Sequence, residues 1–166
     1  IFRLNTLTRG YHNPLFFQGK LMIQPLTEKQ ISDKILACGI RPSFQRVKIL
    51  NYLYKNRLHP TAEKVYEALS PEILTLSRTT VYNTLKLFID NGLVQSLTID
   101  GDEMRYDADT SHHLHFKCNC CGNVLDMLYP NTEFEYDKII SMLPAEFTVN
   151  KIQTFIWGTC SDCKKK

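Results

Sequence analysis

An α+β fold in two domains is predicted by three features of the sequence. These are capped helical segments between Thr27 and Asn91, an alternating stretch broken by Asp100-Gly101-Asp102, and two Cys-x-x-Cys pairs, Cys118/Cys121 and Cys160/Cys163, among strand-like segments. At 166 residues, with 43% hydrophobic and 22% charged side chains, the composition is that of an ordinary globular protein. Halves of roughly eighty residues bury thin cores, which favours stabilisation by a metal or a partner subunit. The formal net charge is only +3 and is raised by the Lys164-Lys165-Lys166 run, so charge alone does not demand a nucleic-acid partner.

Thr27-Glu28-Lys29-Gln30 reads as a capping box, and Ile31, Ile35 and Leu36 follow at helical spacing until Gly39 ends the helix. A second helix starts at Ser43 with Phe44, Val47, Ile49, Leu50, Leu53 and Tyr54 as apolar positions. His59-Pro60 breaks it, since the residue before proline is pushed out of the α region. Thr61 caps a third helix carrying Ala62, Val65, Tyr66 and Leu69. Ser77 caps a fourth, in which Val81, Leu85 and Phe88 face a core and Arg78, Thr80, Tyr82, Asn83 and Lys86 are left for the outer surface. Leu93 to Ile99, the Asp100-Gly101-Asp102 turn and Glu103 to Tyr106 then read as a β-hairpin. This is the order of a winged helix-turn-helix, whose fourth helix would enter a DNA major groove. On pattern alone, a merely solvated polar helix face fits equally well.

The second half changes character. Leu114 to Lys117 and Val124 to Tyr129 read as strands, Thr132 to Leu143 as a helix with Phe134, Ile139, Ile140 and Leu143 apolar, and Phe147 to Trp157 as a last strand. Open strand edges in such a small α/β unit invite a second copy, and a homodimer with two-fold related reading helices suits a palindromic double-stranded operator. The expected organisation is an extension at 1–21 outside the fold, a winged-helix domain at 22–106, a linker at 107–111 and a metal-binding dimerisation domain at 112–166. Ile1 to Gln24 has no sustained apolar run, and no stretch approaches the roughly 20 apolar residues of a membrane span, so a cytoplasmic protein is expected.

Cys118, Cys121, Cys160 and Cys163 have the spacing of a closed tetrahedral zinc site. Three disulfides from the six cysteines, or exposed redox-active Cys-x-x-Cys pairs, are the competing readings. Cys120 could replace Cys121 chemically, but the x-x spacing followed by Gly122 favours Cys121; Cys38 reads as a buried helix residue without chemistry. His113 and His115 are two apart on a strand and so share a face, while His112 and Leu114 point away. With His59, Asp107 and Asp126 they form a mixed N/O set suited to Fe(II) or Mn(II), leaving one position of an octahedral field open.

At this point the sequence resembles the ferric uptake regulator (Fur) superfamily, over roughly Leu26 to Lys164. The resemblance is carried by Arg41-Pro42-Ser43-Phe44-Gln45-Arg46, His59-Pro60-Thr61-Ala62-Glu63 and Ser77-Arg78-Thr79-Thr80-Val81-Tyr82-Asn83-Thr84-Leu85. It continues through His113-Leu114-His115-Phe116-Lys117-Cys118, Cys121-Gly122 and Cys160 to Cys163. It implies a dimeric, metal-dependent DNA-binding repressor, not an enzyme, with structural zinc and a regulatory Fe(II) or Mn(II). It also implies that Tyr82, Arg78 and Asn83 read DNA while Arg41, Gln45 or Arg46 touch phosphates. The set His59, Asp107, His113, His115 and Asp126 is most similar to that of the peroxide-sensing branch (PerR); iron-sensing members commonly carry glutamate at the two acidic positions. The further site of many iron sensors is incomplete, because Leu114 stands where an acidic residue would and no histidine follows His115. In the peroxide-sensing branch, His59 or His113 would be oxidised through bound Fe(II). The alternative within the same fold is a repressor that answers iron or another metal.

Overall fold

The computed structural model describes residues 26–127 and 132–165, with the backbone alone at 132–135. The extension at 1–21, the Leu128-Tyr129 end of the expected strand and the Phe134 side chain lie outside the described residues.

Four helices come first: α1 (Glu28–Ala37), α2 (Phe44–Lys55), α3 (Ala62–Leu69) and α4 (Arg78–Asp90). Each begins where a hydroxyl side chain closes an otherwise orphaned backbone donor. Thr27 accepts from the Gln30 amide in a full capping box, Ser43 from Arg46, Thr61 from Lys64 and Ser77 from Thr80. Their inward faces meet in one core containing Ile31, Ile35, Ile49, Leu50, Val65, Val81, Leu85 and Phe88, all fully buried. Two expected core positions are exposed instead. Leu36 lies one residue round α1 from the Ile31/Ile35 stripe, and Phe44 sits at the first position of α2, where its ring lies under the Lys48 ammonium.

The hairpin follows as β1 (Gln95–Leu97) and β2 (Arg105–Asp107), antiparallel, with Gln95 opposite Asp107 and Ser96 opposite Tyr106. Both strands are shorter than the alternating pattern suggested. β2 also bridges back to Thr61, and the Tyr106 amide donates to Pro60 O at 3.1 Å, which fastens the wing to the segment preceding α3.

The remainder is a mixed sheet in the order β4-β3-β5: β3 (Leu114–Cys118), β4 (Val124–Met127) and β5 (Phe155–Gly158). β3 runs antiparallel to β4 and parallel to β5, and α5 (Thr132–Ser141) lies in the crossover to β5. A parallel pairing requires such a long connection. The last strand is far shorter than Phe147 to Trp157. Extended backbone becomes a strand only where a neighbour accepts its hydrogen bonds, and β3 offers five residues. A short helix, α6 (Ser161–Lys164), which the sequence pattern did not suggest, follows Cys160. A small apolar cluster of Leu97, Ile99 and Val124, with Phe155 against it, joins the wing to this sheet. The whole is α+β: a winged-helix unit followed by a small α/β unit.

Candidate metal centre

His59, Asp107, His113, His115 and Asp126 come from four places in the chain and converge. One ligand atom from each lies within 4.8 Å of all the others. His59 precedes Pro60 in the loop between α2 and α3, Asp107 closes β2, His113 and His115 enter along β3, and Asp126 stands directly opposite His115 in the β3–β4 register. His59, Asp107, His113 and His115 are buried; the Asp126 side chain is 16% exposed.

The short approaches within the cluster run from His59 Nε2 to Asp126 Oδ1 at 2.7 Å, through His113 Nε2 to Asp107 Oδ2 at 3.1 Å, to His115 Nε2 to Asp126 Oδ1 at 3.8 Å. Yet His59 Nε2, His113 Nε2, His115 Nε2 and Asp126 Oδ1 make no aligned hydrogen bond. Buried polar atoms are normally satisfied, so a knot of unaligned donors and acceptors needs a cause. Two atoms each about 2.1 Å from one ion and at right angles around it are about 3 Å apart. The spacing therefore fits atoms arranged around a shared centre better than atoms bonded to each other. Three imidazoles and two carboxylates suit a divalent first-row ion.

Outer contacts fix several of these groups. The His113 Nδ1 lies 2.9 Å from Ser111 O, which leaves Nε2 to face the cluster. Asp107 Oδ1 accepts the Asp109 amide at 2.8 Å, and Asp107 Oδ2 accepts Gln95 Nε2 at 3.0 Å. Gln95 was not singled out from the sequence. The available signal was its position, equidistant with Asp107 from Gly101 and hence opposite it across the hairpin. Burial opposes ionisation of both carboxyls, but the neighbouring imidazoles outweigh it, holding Asp107 well below the usual range and Asp126 at about 2. For His113 burial likewise opposes charge, and Asp107 and Asp126 win, raising it to about 10.

Cys118, Cys121, Cys160 and Cys163 form the second cluster; Cys120 is exposed and outside it. All six cysteines are free thiols. Cys121 Sγ and Cys160 Sγ are 3.9 Å apart, close to the edge of about 3.8 Å of a tetrahedron with bonds of about 2.3 Å. The amides of Cys121 and Cys160 point at Cys118 Sγ and bring that thiol down to about 6, the second at 3.3 Å. Cys163, crowded by the sulfurs of Cys160 and Cys120, is pushed up instead. Four thiols with such opposed tendencies gain most from a cation that takes all four as thiolates.

Of the side chains expected to meet nucleic acid, Arg78, Tyr82 and Asn83 are exposed on α4 and Thr80 is half-buried, its hydroxyl 2.8 Å from Ser77 Oγ. Arg78 pairs with Glu63 at 2.7 Å and lies over the Tyr66 ring. Arg41 is exposed, Arg46 donates to Arg41 O, and Gln45 donates to Thr75 O.

The sequence model of the Ferric uptake regulator family matches residues 37–154. The peroxide-responsive repressor PerR of Staphylococcus aureus (strain Mu50 / ATCC 700699) is 38% identical over 142 residues, covering 84% of this chain and 95% of that protein. Among solved structures, the ferric uptake regulator of Pseudomonas aeruginosa with manganese superposes at a TM-score of 0.63 with 25% identity, covering 82% of this chain and 99% of that one. That of Francisella tularensis with iron gives 0.61 and 26%, covering 76% and 96%. The family match takes in every member of the His/Asp cluster, and the similarity to PerR runs along nearly all of that protein. The chain belongs to the ferric uptake regulator family.

Proposed function

We propose that the protein is a DNA-binding transcriptional repressor whose affinity for DNA depends on a divalent metal, and that it senses peroxide through oxidation of His59 or His113. The observation that carries this reading is the convergence of His59 and Asp107, from the helical half and its wing, with His113, His115 and Asp126, from the sheet. Groups that must share one centre fix the orientation of the elements bearing them, so metal affinity and DNA affinity are coupled, and reciprocally. Cys118, Cys121, Cys160 and Cys163 hold a structural zinc, and the dimer presents two α4 helices to a palindromic site. Similarity to a peroxide-responsive repressor supports the sensing role, as do aspartates rather than glutamates at 107 and 126. The protein is a regulator, not an enzyme, and acts in the cytoplasm; no helix among the described residues is long and apolar enough to cross a membrane.

Bound Fe(II) supplies the reductant that lets peroxide oxidise an adjacent imidazole, whereas Mn(II) is harder to oxidise. The chain contributes enclosure and placement. His59 and His113 are 1% and 4% exposed, with their Nε2 atoms turned into the cluster. An oxygen gained on either ring removes a neutral nitrogen donor, frees the α2–α3 loop from β3 and β4, and lets the two α4 helices lose their fixed separation.

The test is intact mass and peptide mapping after brief, low-dose peroxide on protein loaded with Fe(II) or Mn(II). One added oxygen on the His59 or His113 peptide, only with Fe(II), is the expected result. No histidine oxidation in either sample, with zinc retained, assigns the protein to metal-supply sensing instead.

A further inference from the structure

Among the described residues, Arg105 is the one buried charged side chain outside the two clusters. It lies on β2 and its guanidinium is shared among three acceptors. Nε donates to Asp100 Oδ2, Nη1 to His59 O at 3.4 Å and Nη2 to Gly122 O at 3.3 Å. The other Asp100 oxygen accepts from Lys117, which stands on β3 between His115 and Cys118. One cation thus touches the backbone of a candidate ligand in the first cluster and the turn that carries Cys121 in the second.

The His59 contact has particular weight. Neither ring nitrogen of His59 makes an aligned hydrogen bond, so no outer partner sets this ring as Ser111 sets His113 or Gln95 sets Asp107. Its placement is left to the backbone, which holds φ at 51°, a conformation that non-glycine residues seldom adopt. Such a conformation persists only when its surroundings enforce it. Here the enforcing contacts are Arg105 on His59 O, Tyr106 N–H on Pro60 O and the Thr61 bridge to Arg105. At the other end, Gly122 donates its amide to Cys118 O at 2.9 Å, so its carbonyl direction follows how Cys118 and Cys121 are drawn together.

We infer that Arg105 is a positioning residue that couples the two clusters: occupancy of the cysteine site sets the backbone of His59, and occupancy of the His/Asp site steadies the cysteine turn. The planar guanidinium makes this possible, since it fixes the angle between its two carbonyl partners in a way an ammonium does not. Because the coupling is between binding equilibria, it acts equally in both directions. The inference rests on the reading that both clusters hold metal. An alternative route is visible, because β3 carries both His115 and Cys118; the test separates the two.

The measurement is zinc release from the full chain under a fixed chelator challenge, with and without saturating Mn(II), after metal analysis of each protein. Mn(II) is expected to slow release from the wild type by about tenfold, within the usual span of allosteric couplings. In Arg105→Lys, which keeps the charge near Asp100 but cannot span both carbonyls, the ratio is expected to fall to about one with zinc content unchanged. Asp100→Asn, which leaves the guanidinium in place but unanchored, is expected to lie between, and reports the same coupling if Arg105→Lys does not fold. An undiminished ratio in either variant overturns the inference and assigns the coupling to β3. A wild-type protein that binds zinc or Mn(II) at neither cluster overturns it together with the reading beneath it.

Discussion

At His113 two carboxylates approach one imidazole, Asp107 Oδ2 at 3.1 Å and Asp126 Oδ1 at 3.3 Å. Without metal this ring keeps its proton up to about pH 10, although burial works against the charge. The sign follows from linkage: a pKa raised on folding contributes stability that is complete below about 6.5 and is lost as pH climbs through about 10. A metal must displace that proton. Mn(II) affinity is therefore expected to rise by about tenfold per pH unit between neutrality and pH 9, readable by titration at three pH values. A flat profile would contradict the raised value. Gln95 is the second decisive residue, because its amide holds the Asp107 oxygen that faces the three imidazoles. Gln95→Leu is expected to cost about 10–100-fold in Mn(II) affinity with zinc content intact, as outer-shell losses do. The members of the His/Asp cluster were legible from residue type and placement, and again by resemblance. Gln95 and Arg105 were not, because their partners are brought to them only by the hairpin register and by interdomain contact.

At the level of elements, α1 to α4 were legible almost residue by residue, since capping is local chemistry written within four residues. Strand limits were not. The length of β5 depends on β3, nearly forty residues earlier, and no local pattern at Phe147 to Gln153 reports the absence of a neighbouring strand. The same locality makes α4 testable. Tyr82 is 51% exposed while Val81, Thr84, Leu85 and Phe88 anchor the opposite face, so Tyr82 can be changed without touching the core. Tyr82→Ala should lower DNA affinity by about tenfold or more while leaving the circular dichroism spectrum and melting temperature unchanged. Unchanged affinity would remove Tyr82 from the interface. Arg78 is a subtler case, since its pairing with Glu63 and its stacking on Tyr66 must be exchanged for any phosphate or base contact.

On the scale of the whole molecule, the halves are joined by unlike contacts. Leu97, Ile99, Val124 and Phe155 make a small apolar seam, Asp100 bridges to Lys117, and Lys151 and Gln153 both donate to Ser96 O at 2.8 Å. The His/Asp cluster adds to this junction from the α2–α3 loop, at a site the seam leaves unfastened. Loss of His113 should therefore cost some stability and loosen the cysteine turn without unfolding the protein or emptying that cluster of zinc. His113→Ala is expected to remain a zinc-loaded dimer by light scattering and metal analysis, and to lose all metal-stimulated DNA binding. A variant that still responds fully to metal would overturn the coupling of metal affinity to DNA affinity. On the sheet face that carries Phe116, Leu125 of β4 and Ile156 of β5 flank it and are exposed, and this is the apolar face on which a second copy is expected to sit.

β3 has one more consequence, for how this gene can change. Five residues carry His115 and Cys118, with His113 one step ahead, and the two faces of the strand alternate. Insertion or loss of a single residue between His113 and Cys118 would turn one cluster's side chains away from their partners. Substitutions can accumulate around this strand, and exposed turns such as Gly101 to Met104 can lengthen, but a reading-frame-preserving indel inside it would disarm sensing or scaffold at one stroke. Length polymorphism across a population should stop at its borders.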